Sequence, residues 1–237
     1  KKILTDAHPH IGTNKLPTVI NNMRYKICEL GGEFHFNSQV VDFIVQDGFA
    51  KGVVIQNTVT NQKENLFADS ILLATGHSAN DIYTLIADKS PSSLQAKTFA
   101  VGVRVEHPRA LIDSIQFHGK MDENLGAAEY RLTTQVNERG VYSFCMCPGG
   151  YVVNSSSEEK RLVVNGMSYS GRNSSTANSA IIVSVNTEDF GATDALAGMR
   201  YQQQLEEKAF SIDEVAPIAK SSVIITPVNP KLFLNRL

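Results

Sequence analysis

The spacing of apolar residues predicts a helix and then a small antiparallel sheet in the first third of the chain. From residue 16 to residue 30 the apolar positions recur every three or four residues, and two glycines at 31 and 32 end the pattern. Asp47 and Gly48 form a dipeptide typical of a two-residue hairpin turn. The strands predicted around this turn span residues 33–36, 39–46, 51–56 and 64–67.

A strand, a turn and a helix are predicted over residues 71–87. Residues 71–74 are apolar throughout, as in a strand that is covered on both faces. Gly76 then predicts a tight turn, and a helix follows from about residue 80. This arrangement can bring backbone N–H groups to an anionic ligand at the end of the strand. An ordinary strand-to-helix connection is the alternative interpretation.

The second part of the chain has the pattern of a β-rich domain. Ser90, Pro91 and two further serines mark a plausible boundary, so we predict domains at 1–90 and 91–237. A long polar loop is predicted over residues 165–179, and the tail at 223–237 is assigned to a strand and a turn. The other predicted elements are strands at 98–105, 128–136, 141–145, 151–154, 162–164 and 180–185, and helices at 108–117 and 198–210.

Composition narrows the classes of function. Proteins that bind nucleic acid or anionic membranes normally carry a clear excess of basic residues. The net charge of this chain is -2, so we expect neither kind of binding. No apolar run approaches the roughly 18 residues that span a bilayer. The start does not resemble a signal peptide, and it lacks Met, so we expect the natural amino terminus to lie outside this sequence. Three cysteines favour a reducing compartment, which predicts a cytoplasmic protein.

Three charged or titratable residues near the end of one predicted strand are candidates for chemistry. Arg104 and Glu106 should share a strand face, where they would hold a substrate carboxylate or pair with each other. The pairing is the favoured interpretation. His107 is the candidate catalytic acid/base, because histidine titrates near neutral pH.

Two further groups are weighed against simpler interpretations. Arg172 and Asn173, in the predicted polar loop, are candidates for binding an anionic substrate, although a solvated loop is equally plausible. Cys145 and Cys147 should project to one strand face as parallel neighbours. Zinc sites normally add a second ligand pair, which is missing, so no metal is predicted. The alternatives for the thiols are a redox disulfide or, as preferred, small residues packed under the following glycine turn.

Several strings together resemble one group of bacterial flavoproteins. They are HPHIGT at 8–13, GGEF at 31–34, LATGHSAND at 73–81, FAVGVRVEHP at 99–108, VYSFCMCPGG at 141–150 and NGMS at 165–168. They resemble FAD-dependent dehydrogenases of largely unassigned substrate, within the flavoprotein class built like glutathione reductase. The resemblance covers roughly residues 3–210 and implies FAD as the cofactor of the parent protein.

The resemblance also implies which residues would meet the cofactor. Ala74, Thr75 and Gly76 resemble the second flavin-side motif of this class, and Val40 matches a position that meets adenine through its main chain. His77 follows the glycine, where it would contact a phosphate or the substrate, or else cap the helix.

In fold and function the resemblance implies an incomplete flavoenzyme. Residues 1–90 would be the later part of a Rossmann-like FAD-binding domain that lacks its GxGxxG half. Residues 91–237 would form an inserted antiparallel β substrate domain. We therefore expect a fragment of an FAD-dependent oxidoreductase acting on a small molecule, with NAD(P)H as a possible electron donor. The alternative is an isolated substrate-binding or interaction domain without activity of its own.

Overall fold

The computed structural model describes residues 10–120 and 125–212, and these form a mixed α/β fold with antiparallel sheets. The helices are α1 (Leu16–Glu29), α2 (Asn80–Lys89), α3 (Arg109–Gln116) and α4 (Ala197–Ile212). The strands are β1 (Ser38–Gln46), β2 (Phe49–Asn57), β3 (Lys63–Phe67), β4 (Phe99–Pro108), β5 (Thr133–Val136), β6 (Arg139–Cys147), β7 (Gly150–Asn154), β8 (Val164–Ser168) and β9 (Thr176–Val185). Of the helices in this part of the chain, none is long and apolar enough to cross a bilayer.

The chain divides into two compact units. The first takes its described residues from the segments Lys1–Met23, Thr98–Asp189 and Gln202–Leu237. The second consists of Arg24–Lys97 and Phe190–Tyr201. Each unit therefore contains segments that are distant from one another in the sequence.

The second unit is built on the sheet β1-β2-β3. Asp47 and Gly48 both adopt positive φ (51° and 78°), and a two-residue turn of this kind matches the twist of the strands it joins. Two side-chain contacts hold α2 to β1. Gln39 Nε2 donates to Asp81 Oδ2 at 3.0 Å, and Lys89 Nζ lies 2.8 Å from an Asp42 carboxylate oxygen. The predicted hairpin and helix are thus confirmed.

Two strands predicted in this unit are wrong. Residues 71–74 form no strand, and Leu72 is 91% exposed instead of covered on both faces. Residues 33–36 also form no strand, and the exposed rings of Phe34 and Phe36 stack on each other. A strand requires a hydrogen-bonded neighbour, and no strand within 10–120 or 125–212 pairs with either segment.

The first unit contains a four-stranded sheet in the order β4-β9-β6-β5 and the hairpin β7-β8. In the long antiparallel ladder of β4 and β9, Glu106 lies opposite Asn178 and His107 lies opposite Ala177. Val105, Ala177 and Val185 are among the buried apolar residues of this unit. This ladder positions Arg104, Glu106 and His107.

Some predicted elements of this unit have other limits. The strand predicted at 128–136 is reduced to β5, and the one at 162–164 corresponds to β8, which starts later. The polar loop predicted at 165–179 is largely strand, with only residues 169–175 between β8 and β9. Its polarity was misleading, because Asn178 and Ser179 are fully buried. The tail predicted at 223–237 lies outside the described residues.

Helix α1 begins at the predicted residue and ends at Glu29, one residue before the predicted limit, and it buries no residue. Apart from the half-buried Val19, the apolar positions that recur at helical spacing are exposed, and we call these exposed positions the apolar stripe. The stripe and the exposed fractions of its residues are Leu16 (43%), Ile20 (60%), Met23 (57%), Ile27 (45%) and Leu30 (74%).

Candidate functional site

The ladder of β4 and β9 separates the candidate residues of β4 onto opposite faces of the sheet. Successive strand residues alternate in direction, so Arg104 and Glu106 share one face and His107 belongs to the other. Arg104 contacts Asn178 on its face, and His107 contacts Tyr130 on the other. The arginine and the histidine therefore do not converge on one reacting group.

The guanidinium of Arg104 binds acceptors from three other strands. Its Nη1 donates to Asn178 Oδ1 at 2.5 Å and to the Cys145 carbonyl at 3.2 Å, and Nη2 lies 3.5 Å from Asn165 Oδ1. The guanidinium also lies so close to Gly166 that a side chain there would collide with it. Arg104 thus joins β4, β6, β8 and β9, and its predicted role in binding substrate stays a prediction.

Glu106 does not make the predicted ion pair with Arg104. Its Oε2 instead accepts a hydrogen bond from the Val152 backbone N–H at 2.9 Å. The carboxylate anchors β7 beside β4, while the arginine is bound by neutral acceptors. Arg104 and Glu106 share a strand face, as predicted. Each of them binds a partner that is distant in sequence, and the local pattern could not identify these partners.

His107 belongs to a buried polar group with Tyr130 and Ser179. It is 5% exposed, and its Nε2 lies 2.9 Å from the Tyr130 hydroxyl. Burial lowers the pKa of His107, because the charged imidazolium loses hydration. Burial also raises the pKa of Tyr130, although a hydrogen bond with Ser179 opposes that shift. The arrangement favours a neutral imidazole at neutral pH and could relay a proton between His107 and Tyr130.

One ring nitrogen of His107 has no described partner. Nδ1 is buried without a hydrogen bond within the described part of the chain, and so is Asn178 Nδ2 on the opposite face of the sheet. Unpaired buried polar atoms are uncommon in native proteins. The catalytic assignment of His107 stays a prediction.

The two cysteines of β6 were predicted to project in parallel from one strand face, but they differ in exposure, although their side chains are neighbours that interact. Phe144 pairs with Ala180 and Cys147 with Asn178, so β6 contains one extra residue at this point. Cys145 adopts a φ of 48° in the resulting bulge and is exposed, whereas Cys147 is buried. The prediction assumed regular strand alternation, which the bulge interrupts.

The candidate residues of the β8–β9 connection differ in their surroundings. Arg172 Nη1 binds Glu129 Oε1 at 2.7 Å, and the Arg172 carbonyl accepts from Arg109 Nη1 at 3.4 Å. Asn173, by contrast, is exposed. Arg172 is therefore bound within the protein, and the proposed contact of either residue with an anionic substrate stays a prediction.

The residues predicted to meet the flavin lie at an open turn. Gly76 has a φ of 80°, and no atom lies within 4 Å of the position that a Cβ would occupy. Ala74, Thr75 and His77 are all exposed. The helix that follows is preceded by Ala79, with no side-chain cap hydrogen bond, so the alternative of His77 as a cap is wrong.

Val40 lies near the beginning of helix α2. It belongs to β1, which is an edge strand of its sheet, and it pairs with Ile55 just before a register shift. Because the adjacent Gln39 binds Asp81 in the first turn of α2, Val40 is brought close to that helix end. An edge strand presents main-chain groups that the sheet leaves unpaired.

Three residues with clear structural roles were missed by the sequence analysis. Asp113 is 3% exposed, binds Arg109 Nε at 3.1 Å and accepts from the Ala128 N–H at 2.8 Å. Asn178 and Tyr130 complete the two clusters at β4. The spacing of Arg109 and Asp113, four residues apart on a helix, was an available signal for the first. No local sequence pattern indicated the roles of Asn178 and Tyr130.

The described side chains form no cluster suited to a metal ion. Within 10–120 and 125–212, no three His, Cys, Asp or Glu residues come together as possible ligands. Cys28, Cys145 and Cys147 are free thiols.

Comparison with known proteins assigns the chain to a family. The model of the family described as "FAD-dependent protein, C-terminal domain-like" matches residues 98–224. The chain belongs to this family. The matched region contains both polar clusters of β4 and the two cysteines of β6.

The chain spans only part of the length of a relative that it matches. An uncharacterized protein of Clostridium beijerinckii is 42% identical over 214 residues. The alignment covers 89% of this chain but only 39% of the relative. The family supports FAD as a cofactor of the parent protein.

The residues of the turn are compatible with such a cofactor. A dinucleotide is commonly held through main-chain groups at a glycine turn, where side chains would obstruct its approach. The empty space beside Gly76 and the edge position of β1 meet this requirement. Val40, Ala74, Thr75 and Gly76 would therefore fit part of a nucleotide.

Proposed function

We propose that this chain is part of a longer FAD-dependent oxidoreductase and contributes one side of the flavin site. The observation that carries the proposal is the open turn at Gly76 in a member of an FAD-dependent family. The main chain of Ala74, Thr75 and Gly76 would lie against the cofactor, and Val40 would contact adenine. The flavin, when bound, supplies hydride or two-electron transfer.

The β-rich unit is proposed to face a small-molecule substrate. His107, Tyr130 and Ser179 would supply a proton relay in which the neutral imidazole accepts a proton. Arg172 and Asn173 would meet an anionic group of the substrate. NAD(P)H is a suitable electron donor for such an enzyme.

Flavin binding by the longer gene product tests this proposal. We expect the full product to purify with FAD and to absorb blue light. Gly76→Ala should weaken FAD binding in it by at least about tenfold, because a Cβ would occupy the space proposed for the cofactor. Gly48→Ala is the matched control, since Gly48 also has a positive φ (78°) and an empty Cβ position. Equal affinities in the two variants would contradict the assignment of the Gly76 turn.

A second candidate function is an interaction domain without its own redox chemistry. The exposed apolar stripe of α1 and the exposed Leu72 favour it, because large apolar surfaces mark contacts with other polypeptides. This alternative predicts a colourless full product that does not bind added FAD. Flavin retained by the full product would exclude it.

A further inference from the structure

The bulge in β6 carries two thiols that the proposed flavin chemistry does not use. Cys145 is exposed, whereas Cys147 is 8% exposed, with its Sγ 3.4 Å from the Cys145 carbonyl oxygen. The pair therefore combines one thiol that a solute can reach with one that is protected. Cys28, in α1, is the third free thiol and lies on a separate element.

The bulge shortens the stretch of β6 that contains the two cysteines. From Phe144 to Cys147, three steps along β6 match the two steps from Ala180 to Asn178 on β9. In a regular strand, two residue steps span about 6.6 Å, near the upper limit for the Cα separation of a disulfide. In the bulge, the Cys145 side chain interacts directly with the Cys147 thiol, so the two thiols are neighbours.

The electrostatic surroundings of the two thiols differ. Arg104 Nη1 lies 3.9 Å from Cys147 Sγ and donates to the Cys145 carbonyl at 3.2 Å. Burial and the neighbouring Cys145 raise the pKa of Cys147, while the guanidinium opposes this shift. Cys147 is consequently protected from direct attack by a solute, but it has a cation nearby that stabilises its thiolate during reaction.

We propose that Cys145 and Cys147 are a peroxide-sensitive pair in which Cys145 is oxidised first and Cys147 then closes a disulfide within the bulge. In the first step, the Cys145 sulfur attacks one oxygen of hydrogen peroxide and the O–O bond breaks. Cys145 becomes a sulfenic acid, and the departing hydroxide takes up the thiol proton and leaves as water. In the second step, the Cys147 sulfur attacks Cys145 and the S–O bond breaks. A second water leaves with the Cys147 proton.

This assignment is independent of the proposed flavin site. The two thiols lose two electrons and two protons, and one hydrogen peroxide is reduced to two waters. No cofactor takes part, so a chain that binds no FAD should react equally well. The disulfide would also constrain the backbone that accepts the hydrogen bond from Arg104.

Mass spectrometry of the 237-residue chain tests the pair directly. The chain, carrying Cys28→Ser to remove the third thiol, is exposed to hydrogen peroxide and then alkylated. Trypsin releases residues 140–160 as one peptide, because this stretch has no internal Lys or Arg and follows Arg139. We expect the peptide to lose the mass of two hydrogens and to take up no alkylating reagent. Treatment with dithiothreitol should restore two alkylation sites.

Two variants separate the roles of the cysteines. With Cys147→Ser, the sulfenic acid at Cys145 has no thiol to attack it, so dimedone labelling should rise at least about tenfold over the parent chain. With Cys145→Ser, labelling and the disulfide should both disappear. Because Cys145 is exposed, this second variant is expected to fold even if the change at the buried Cys147 prevents folding.

Two results would overturn the proposal. The first is a parent chain in which both thiols remain fully alkylated after peroxide treatment that oxidises free glutathione. The second is equal dimedone labelling of Cys145 with and without Cys147. Neither result would affect the test of FAD binding at Gly76.

Discussion

At the scale of single residues, the burial of His107 makes fold stability depend on pH. The pKa of His107 is lowered from its ordinary value of 6.5, mainly by burial. The unfolded chain therefore binds a proton below pH 6.5 more readily than the folded chain does. The free energy of unfolding is therefore unaffected by this group above pH 6.5. It decreases as the pH falls below 6.5 toward the lowered pKa of His107.

We expect His107→Gln to flatten the acid dependence of stability below pH 6.5. The measurement is urea unfolding of the parent chain and the variant at several pH values. The difference between their slopes should not exceed about 1.4 kcal/mol per pH unit, the limit for one proton. Tyr130→Phe is the control, because it removes the hydroxyl 2.9 Å from Nε2 but keeps the ring buried. If the free energy of unfolding depends on pH in the same way in the parent chain and in His107→Gln, His107 is not the source of the acid dependence.

Asp113 should contribute to stability as an acceptor rather than as a filler of space. Asp113→Leu leaves the buried Ala128 N–H without its 2.8 Å acceptor and should lower the free energy of unfolding by about 2–3 kcal/mol. Asp113→Asn keeps an acceptor oxygen, so its loss in chemical denaturation should be clearly smaller. Similar losses for the two variants would show that the charge interaction with Arg109 dominates instead.

At the scale of elements, close packing of backbones distinguishes two glycines in one sheet. A Cβ on Gly102 of β4 would collide with the Ile181 carbonyl of β9, and backbone cannot move away cheaply. A Cβ on Gly140 of β6 would meet only the Ser184 hydroxyl, at 3.6 Å. Substituting each glycine by alanine therefore compares the effect of one added methyl group at a crowded position and at an open one.

We expect Gly102→Ala to lower the free energy of unfolding by about 1–3 kcal/mol, the usual cost of overpacking. Gly140→Ala should change it by no more than about 0.5 kcal/mol. Thermal or urea unfolding of both variants measures the difference. Equal effects would mean that the β4–β9 ladder adjusts to the added methyl.

Local signals identified the elements whose determinants are close in sequence. The Asp47–Gly48 turn fixes the hairpin of β1 and β2, and apolar spacing fixes α1. Residues 71–74 were misassigned because strand formation needs a neighbour that local apolarity does not provide. Residues 176–179 were assigned to a loop because buried polar partners, such as Arg104 for Asn178, are distant in sequence.

The candidate site was predictable to a similar extent. The glycine turn at 76 could be located because a positive φ and an adjacent helix have a local sequence pattern. The actual partners of Arg104 and Glu106 come from β6, β7, β8 and β9, so one strand alone could not reveal them. The bulge at Cys145 depends on register with β9 and was equally hidden.

At the scale of the whole molecule, one helix combines several exposed apolar residues with no buried side chain. Helix α1 has an apolar stripe whose residues are 43–74% exposed. Isolated helices of this length are marginal in water, and most gain stability from packing an apolar face. An exposed apolar face of this kind is a surface on which another polypeptide could pack.

The apolar stripe should make the 237-residue chain associate with itself. We expect the apparent mass in analytical ultracentrifugation to rise with protein concentration, because apolar surface is removed from water when two stripes meet. Changing Ile20 and Met23 together to Lys should abolish this rise. Since neither residue is buried, the free energy of unfolding should change little.

The matched control changes Asn21 and Tyr25 to Lys, which adds the same charge to α1 at positions outside the stripe. Association that is lost equally in both variants would attribute it to net charge, and association that persists in both would place the contact elsewhere in the chain.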